Sequence, residues 1–200
     1  IRQVNCISVS CATGIGGRVT QKSSDPKTTQ ALARNRGVAL PTNGQLTRDM
    51  FTEDFVGFMR DVSQAQDGNF EFRSDEDREA DRVALLKAHD AGQDLWVFGY
   101  GSLIWNPACL IEETRAANLE GYHRAFCLSL VIGRGTMDAP GYMLALEDGG
   151  TCHGVIHRIR ADKIDSETRI LWRREMLGTG YRSIWTDVQT SEGPQRAITF

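Results

Sequence analysis

Hydrophobic and polar positions follow two different periods along this chain, and the change falls near Gly92. Before it, Phe51, Phe55 and Phe58 recur at the spacing of one helix face. Ser74 and Asp77 have the spacing of a capping box ahead of a charged stretch in which Ala80, Val83, Ala84 and Leu86 fit a helix. Two helices are therefore expected before the main sheet. After Gly92 short β-rich runs take over, at 95–98, 122–131, 142–146, 152–159, 183–188 and 196–200. In the second run Tyr122, Arg124, Phe126, Leu128 and Leu130 fall on one face, and His123, Ala125, Cys127 and Ser129 on the other, the alternation of a half-buried strand. One helix interrupts the strands from about Lys163 to Met176, with Gly178 and Gly180 to end it. The expected class is α+β, a mixed or antiparallel sheet or barrel with flanking helices.

Charge divides the chain differently. Residues 1–47 hold six Lys or Arg and one Asp, whereas 48–200 hold 17 basic and 25 acidic residues. The basic stretch is rich in Ser and Thr and has little hydrophobic periodicity, so it buries too little to offset its ordering entropy, and a disordered leader is expected over 1–45. Its composition suits an organelle transit peptide, but the chain begins with Ile1, which fits a fragment or an open-ended translation better. Gly14, Gly16 and Gly17 lack the third glycine of a dinucleotide fingerprint, where Val19 stands, and the Gly-Lys-Ser/Thr of a P-loop, so they read as spacer. Residues 46–92 then form a helical extension and 93–200 the main domain.

The net charge of −3 gives no reason to expect nucleic acid as partner, and no apolar run approaches the roughly 18 residues of a membrane helix. Five cysteines, Cys6, Cys11, Cys109, Cys127 and Cys152, are odd in number and without a Cys-x-x-Cys pair, which points to free thiols in a reducing, cytoplasmic setting. Cys152, His153 and His157 lie in a run that reads as a strand, with no second ligand pair at zinc spacing, so no metal is expected.

Chemistry enters at two places. An apolar strand at 95–98 runs into Gly99-Tyr100-Gly101-Ser102-Leu103, where two glycines let backbone N–H groups converge on a carboxylate or an oxyanion and Ser102 adds a hydroxyl. The second place is Glu175. At 100° per residue Ile164, Thr168, Leu171 and Glu175 share one stripe, so an acid sits on the inward face of a helix and in its last turn, where the helix dipole disfavours it. Burial and dipole both raise its pKa toward the range useful for proton transfer. The alternative is a salt bridge to Arg124, Arg173 or Arg174, and the residues alone leave both readings open.

These segments resemble the ChaC-like γ-glutamylcyclotransferases. The likeness is carried by Phe98-Gly99-Tyr100-Gly101-Ser102-Leu103-Ile104-Trp105, by 121–127, Pro140-Gly141 and 149–158, and by Arg174-Glu175-Met176 followed by Gly180-Tyr181. Even 46–51 looks like the start of bacterial members, so the resemblance covers about residues 46–200 and omits the leader.

The resemblance implies a small mixed β-barrel with flanking helices, and cleavage of a γ-glutamyl amide by cyclisation to 5-oxoproline, with Cys-Gly as the other product from glutathione. It implies that Tyr100 to Leu103 hold the γ-glutamyl group, that Glu175 is the acid–base residue, and that no cofactor is needed. It also implies further chain beyond Phe200, so that the main domain is truncated and its site incomplete.

The substrate's own α-amine is the nucleophile, so ring closure is intramolecular and draws on a large effective molarity. Tyr181 is a candidate either for positioning the glutamyl group or for barrel packing. Arg124 and Arg134 are candidates for the glycine-end carboxylate or for plain surface roles. The run from Gly133 to Gly141 is either a cover over the site or a hairpin loop. Trp96, Trp105, Trp172 and Trp185 are expected to be structural. An enzyme for other γ-glutamyl amines or amino acids, and a non-catalytic binding protein of the same fold, remain open alternatives.

Overall fold

Ser74 starts a helix as its spacing predicts: its hydroxyl accepts the Asp77 N–H at 2.9 Å. The computed structural model describes residues 26–40, 47–66, 70–131, 135 and 139–200. Its elements are α1 (Pro26–Asn35), α2 (Glu53–Ala65), α3 (Asp75–Leu86), β1 (Leu95–Gly99), β2 (Glu113–Leu130), β3 (Gly141–Ile159), α4 (Ile164–Glu175), β4 (Ile184–Thr190) and β5 (Gly193–Thr199). The five strands close into a barrel in the order β1-β3-β2-β4-β5, antiparallel throughout except where β1 meets β5 at Val97 and Ile198. The change of period leaves sheet or barrel open, and the closed barrel with flanking helices is the one that the resemblance implies.

β1 explains how the layers stack. It is buried along its whole length, so it reads as a continuous apolar run. Trp96, Phe98 and then Tyr100 point into the barrel, where Ala117, Leu119, Cys152, Ile156, Val188 and Ala197 meet them from the other four strands. Leu95 and Val97 face outward with Ile159 and Ile198, and Leu171, Trp172 and Met176 from α4 cover them. The opposite side of α4 offers Ile170 to Phe51, Phe55, Phe58 and Val62 of the N-terminal layer. Helix α4 is thus held between the barrel and α2, with the end that carries Glu175 beside the turn after β1.

Three expectations need correction. Residues 26–35, assigned to a disordered leader, form α1. Ala33 is buried and Leu32, Val38 and Leu40 pack against the Phe58 cluster, with Arg36 ion-paired to Asp61, so this stretch finds on the body the apolar partner it lacks locally. Leader residues 1–25 and 41–45, with Cys6, Cys11 and the glycine run, lie outside the described residues. The runs at 142–146 and 152–159 are one long strand, β3, paired along β2. A register shift between Phe126 and Leu128 breaks the simple alternation in β2, and Phe126 stands exposed.

Candidate active site

β1 ends at Gly99, and the chain turns through Tyr100 and Gly101 into one turn of 3₁₀ helix, Ser102–Ile104. A Cβ at Gly99 would lie 2.9 Å from the Cβ of Leu103, so the turn folds back tightly on the strand end where there is no side chain. At Gly101 the nearest such atom, Leu144 Cδ1, is 3.9 Å away, which leaves the approach open. The turn's own bonds use the N–H groups of Ile104, Trp105 and Asn106, so those of Ser102 and Leu103 are the ones its geometry leaves over at the open end.

His157 of β3 fixes the turn. Its Nε2 is 2.9 Å from the Leu103 carbonyl and its Nδ1 is 2.8 Å from the Thr114 hydroxyl. A carbonyl only accepts, so Nε2 carries the proton, and burial lowers the pKa of the ring and keeps it neutral. Cys152 is buried in the barrel, and His153 lies exposed beside Asn118 Oδ1 at 2.7 Å. The three candidate ligands of the sequence thus serve three separate surroundings.

Glu175 lies beside this turn with its side chain 13% exposed. Burial raises its pKa, and the Arg174 guanidinium acts in the opposite direction without cancelling the effect. Arg174 Nε donates to Glu175 Oε1 at 2.7 Å, Nη2 donates to Ser102 Oγ at 2.8 Å, and Nη1 donates to the Asn106 carbonyl. The two readings left open by the sequence are therefore compatible: Glu175 faces inward and is also ion-paired. Ser102 Oγ receives a hydrogen bond from a cation, which is not the arrangement that activates a serine nucleophile.

Two phenols complete the cluster. Tyr100 donates to the Phe200 carbonyl at 2.8 Å and Tyr181 to the Leu144 carbonyl at 2.6 Å. Burial pushes the pKa of both well up, and the Glu175 charge adds to the effect on each, so both stay protonated donors beside the carboxylate. Tyr181 thus joins the cluster by contact, whatever its role. Arg124 reaches the same turn, with Nη1 3.3 Å from the Tyr100 carbonyl. Arg134 lies outside the described residues, as do 132–134 and 136–138 of the connection between β2 and β3. The arrangement offers one desolvated carboxylate able to take and return a proton, two neutral phenols whose protons are held by backbone carbonyls, and a turn flanked by Arg124 and Arg174 that suits a carboxylate or a developing oxyanion.

The family model described as ChaC-like protein matches residues 95–200, which include the barrel, the turn and Glu175. The chain belongs to the ChaC-like family. Among relatives of this ChaC-like chain, the glutathione-specific γ-glutamylcyclotransferase of Escherichia coli (strain K12) is 42% identical over 120 residues, 60% of this chain and 52% of that protein. Glutathione-specific γ-glutamylcyclotransferase 1 of Mus musculus is 31% identical over 54% of this chain and 49% of that protein. Gamma-glutamylcyclotransferase 2-1 of Arabidopsis thaliana is 39% identical over 40% and 39%. The chain spans about half the length of the first two.

Sequence reasoning reached Gly99, Tyr100, Gly101, Ser102, Leu103, Glu175 and Tyr181, and the structure brings all seven to one end of the barrel. It weighed Arg174 as one of three salt-bridge partners and as part of the Arg174-Glu175-Met176 motif, without a role in the site, and set His157 aside as structural. The signal for Arg174 lay in its being next to Glu175 at a helix end. That for His157 lay in its strand, where a buried imidazole needs a partner on each nitrogen. Trp105 departs from the expectation of a packed aromatic, being 75% exposed, whereas Trp96 and Trp172 are buried.

Proposed function

We propose that this chain carries the γ-glutamylcyclotransferase activity for which its relatives are named, acting on glutathione. The observation that carries the reading is the buried Glu175 carboxylate tied through Arg174 to Ser102 of the Gly99–Leu103 turn. In this reading the turn and Tyr181 hold the γ-glutamyl group. Glu175 takes one proton from the substrate's α-ammonium so that the freed amine attacks the γ-carbonyl, and takes a second from the same nitrogen once it is bonded; each is handed to the leaving nitrogen, so that Cys-Gly departs as its ammonium form. One C–N bond forms and one breaks, no water is consumed, and the products are 5-oxoproline and Cys-Gly. The raised pKa of Glu175 suits both roles, because it brings the carboxyl nearer the operating pH.

The free thiols of Cys109, Cys127 and Cys152 fit a cytoplasmic, reducing setting, and among the described residues no helix is long and apolar enough to cross a membrane. Glutathione, a γ-glutamyl amine and a γ-glutamyl amino acid, each incubated with the chain, are the test. Release of 5-oxoproline is expected with glutathione, with Cys-Gly in equal amount. Glu175→Gln is expected to reduce that release by about 10²- to 10⁴-fold without loss of fold. Release from glutathione that survives this substitution would overturn the assignment of the acid–base residue.

A further inference from the structure

The side chains of neighbouring residues on a helix diverge by about 100°, so contact between Arg174 and Glu175 is not something helix geometry supplies. It is made at the last turn, where α4 ends at Met176, and it is one of three bonds from a single guanidinium. Nε meets the Glu175 carboxylate, Nη2 meets Ser102 Oγ, and Nη1 meets the carbonyl of Asn106, so each nitrogen of the planar fork holds a different acceptor. Ser102 and Asn106 belong to the segment after β1, and Glu175 belongs to α4. The group lies over the Phe51 ring, 5.8 Å from its centre, and its side chain is only 10% exposed. A buried cation with a filled set of acceptors drawn from two elements is a built cross-link between turn and helix end.

Resting on the cyclotransferase reading, we infer that Arg174 is a positioning residue that fixes the Glu175 carboxylate relative to the substrate-holding turn. Arg174 occupies Oε1 and leaves Oε2 for the proton in transit. It also holds Glu175 in reserve as a base by opposing the effect of burial. The groups that face Glu175 are Tyr100 at the end of β1, Tyr181 after α4, Cys109 in the connection before β2, and Arg174 itself. Burial pushes Cys109 up to about 12, and Tyr100 and Tyr181 are also raised, as is Cys127 of β2, which faces Tyr181. These four stay protonated near neutral pH, so Arg174 is the charge among them that sets the ionisation of Glu175.

The test compares the wild-type chain with Arg174→Gln, Arg174→Lys, Glu175→Gln and the Arg174→Gln/Glu175→Gln double variant, after thermal melts have shown which are folded. Arg174→Gln is expected to lower kcat by about tenfold or more with a smaller change in KM. It should move the acidic limb of the kcat/KM profile up by about one pH unit, because the base loses its cation. Arg174→Lys should leave the limb near its wild-type position yet still lower kcat, since a point charge cannot bridge the three acceptors. In the Glu175→Gln background, Arg174→Gln should add less than about a twofold further loss. An unmoved limb, or additive losses in the double variant, would overturn the inference. If Arg174→Gln does not fold, Arg174→Lys decides, and wild-type kcat in that variant overturns it. Carbon-13 NMR titration of the Glu175 carboxyl in the wild type and Arg174→Gln reads the same cross-link without turnover. An upward shift with no 5-oxoproline from any γ-glutamyl substrate would sink the functional reading and leave the cross-link standing. No shift would sink the cross-link alone.

Discussion

At the scale of single residues, the burial of Glu175 costs stability whenever its carboxyl is ionised. Burial holds its carboxyl above the ordinary range, so the folded state binds a proton more readily than the unfolded chain does. The sign follows from linkage: the contribution of this group is fullest below the ordinary Glu range and is lost as pH rises through the raised native pKa. The ionised carboxylate at neutral pH therefore disfavours the fold. Glu175→Gln keeps the shape and an acceptor for Arg174 while removing the charge, and should melt at pH 7 at a temperature equal to or a few degrees above the parent. The gap should close toward pH 4. Calorimetry of both proteins over that range checks this, and a lower melting temperature for the variant at pH 7 would show that the contact with Arg174 outweighs burial.

At the scale of elements, the position of α4 decides where Glu175 points, and buried polar anchors set that position. Glu167, two turns before Glu175, has a side chain 1% exposed and is gripped by both terminal nitrogens of Arg48, the Leu110 N–H at 2.9 Å and the Ser166 hydroxyl at 3.0 Å. Burial raises its pKa, but these donors outweigh burial and hold it below the ordinary range, the reverse of Glu175. Its stabilisation is therefore present above the ordinary Glu range and lost as pH falls. On the facing side, Arg82 of α3 donates to Thr168 and Asp165, and Asp81 accepts the Trp172 indole N–H at 2.8 Å. Glu167→Ala leaves Arg48 and the Leu110 N–H without their acceptor and is expected to cost about 3 kcal/mol in urea unfolding at pH 7. Arg48→Ala strands a carboxylate that is only 1% exposed without its cation, so it should cost at least as much, about 3 kcal/mol or more. A loss under about 0.5 kcal/mol for Glu167→Ala would show that α4 is held by its apolar contacts alone. The capping spacing at Ser74 and the stripe through Glu175 were readable because they are local. The Arg48–Glu167 pair spans 119 positions and leaves no local pattern.

At the scale of the whole molecule, barrel closure brings the end of β1 against β3 so tightly that a Cβ at Gly154 would lie 2.4 Å from the Gly99 carbonyl oxygen and 2.7 Å from the Phe98 ring. Gly154→Ala therefore has to push backbone away and is expected to cost about 1–3 kcal/mol and to loosen the turn that follows Gly99. Thermal melting with substrate titration checks both parts, and an unchanged melting temperature would refute the tight approach. The sequence by itself determined the change from helices to strands near Gly92, the inward stripe of α4 and the glycine turn, because each is written in residue spacing over one or two turns or strands. Only the tertiary structure decided that α1 forms on the surface of α2, that Phe126 stands exposed next to a register shift, and that Glu175 is both inward and ion-paired. Those outcomes depend on which surfaces meet. Spacing along a chain says which residues share a face, and only packing between distant segments says what that face touches.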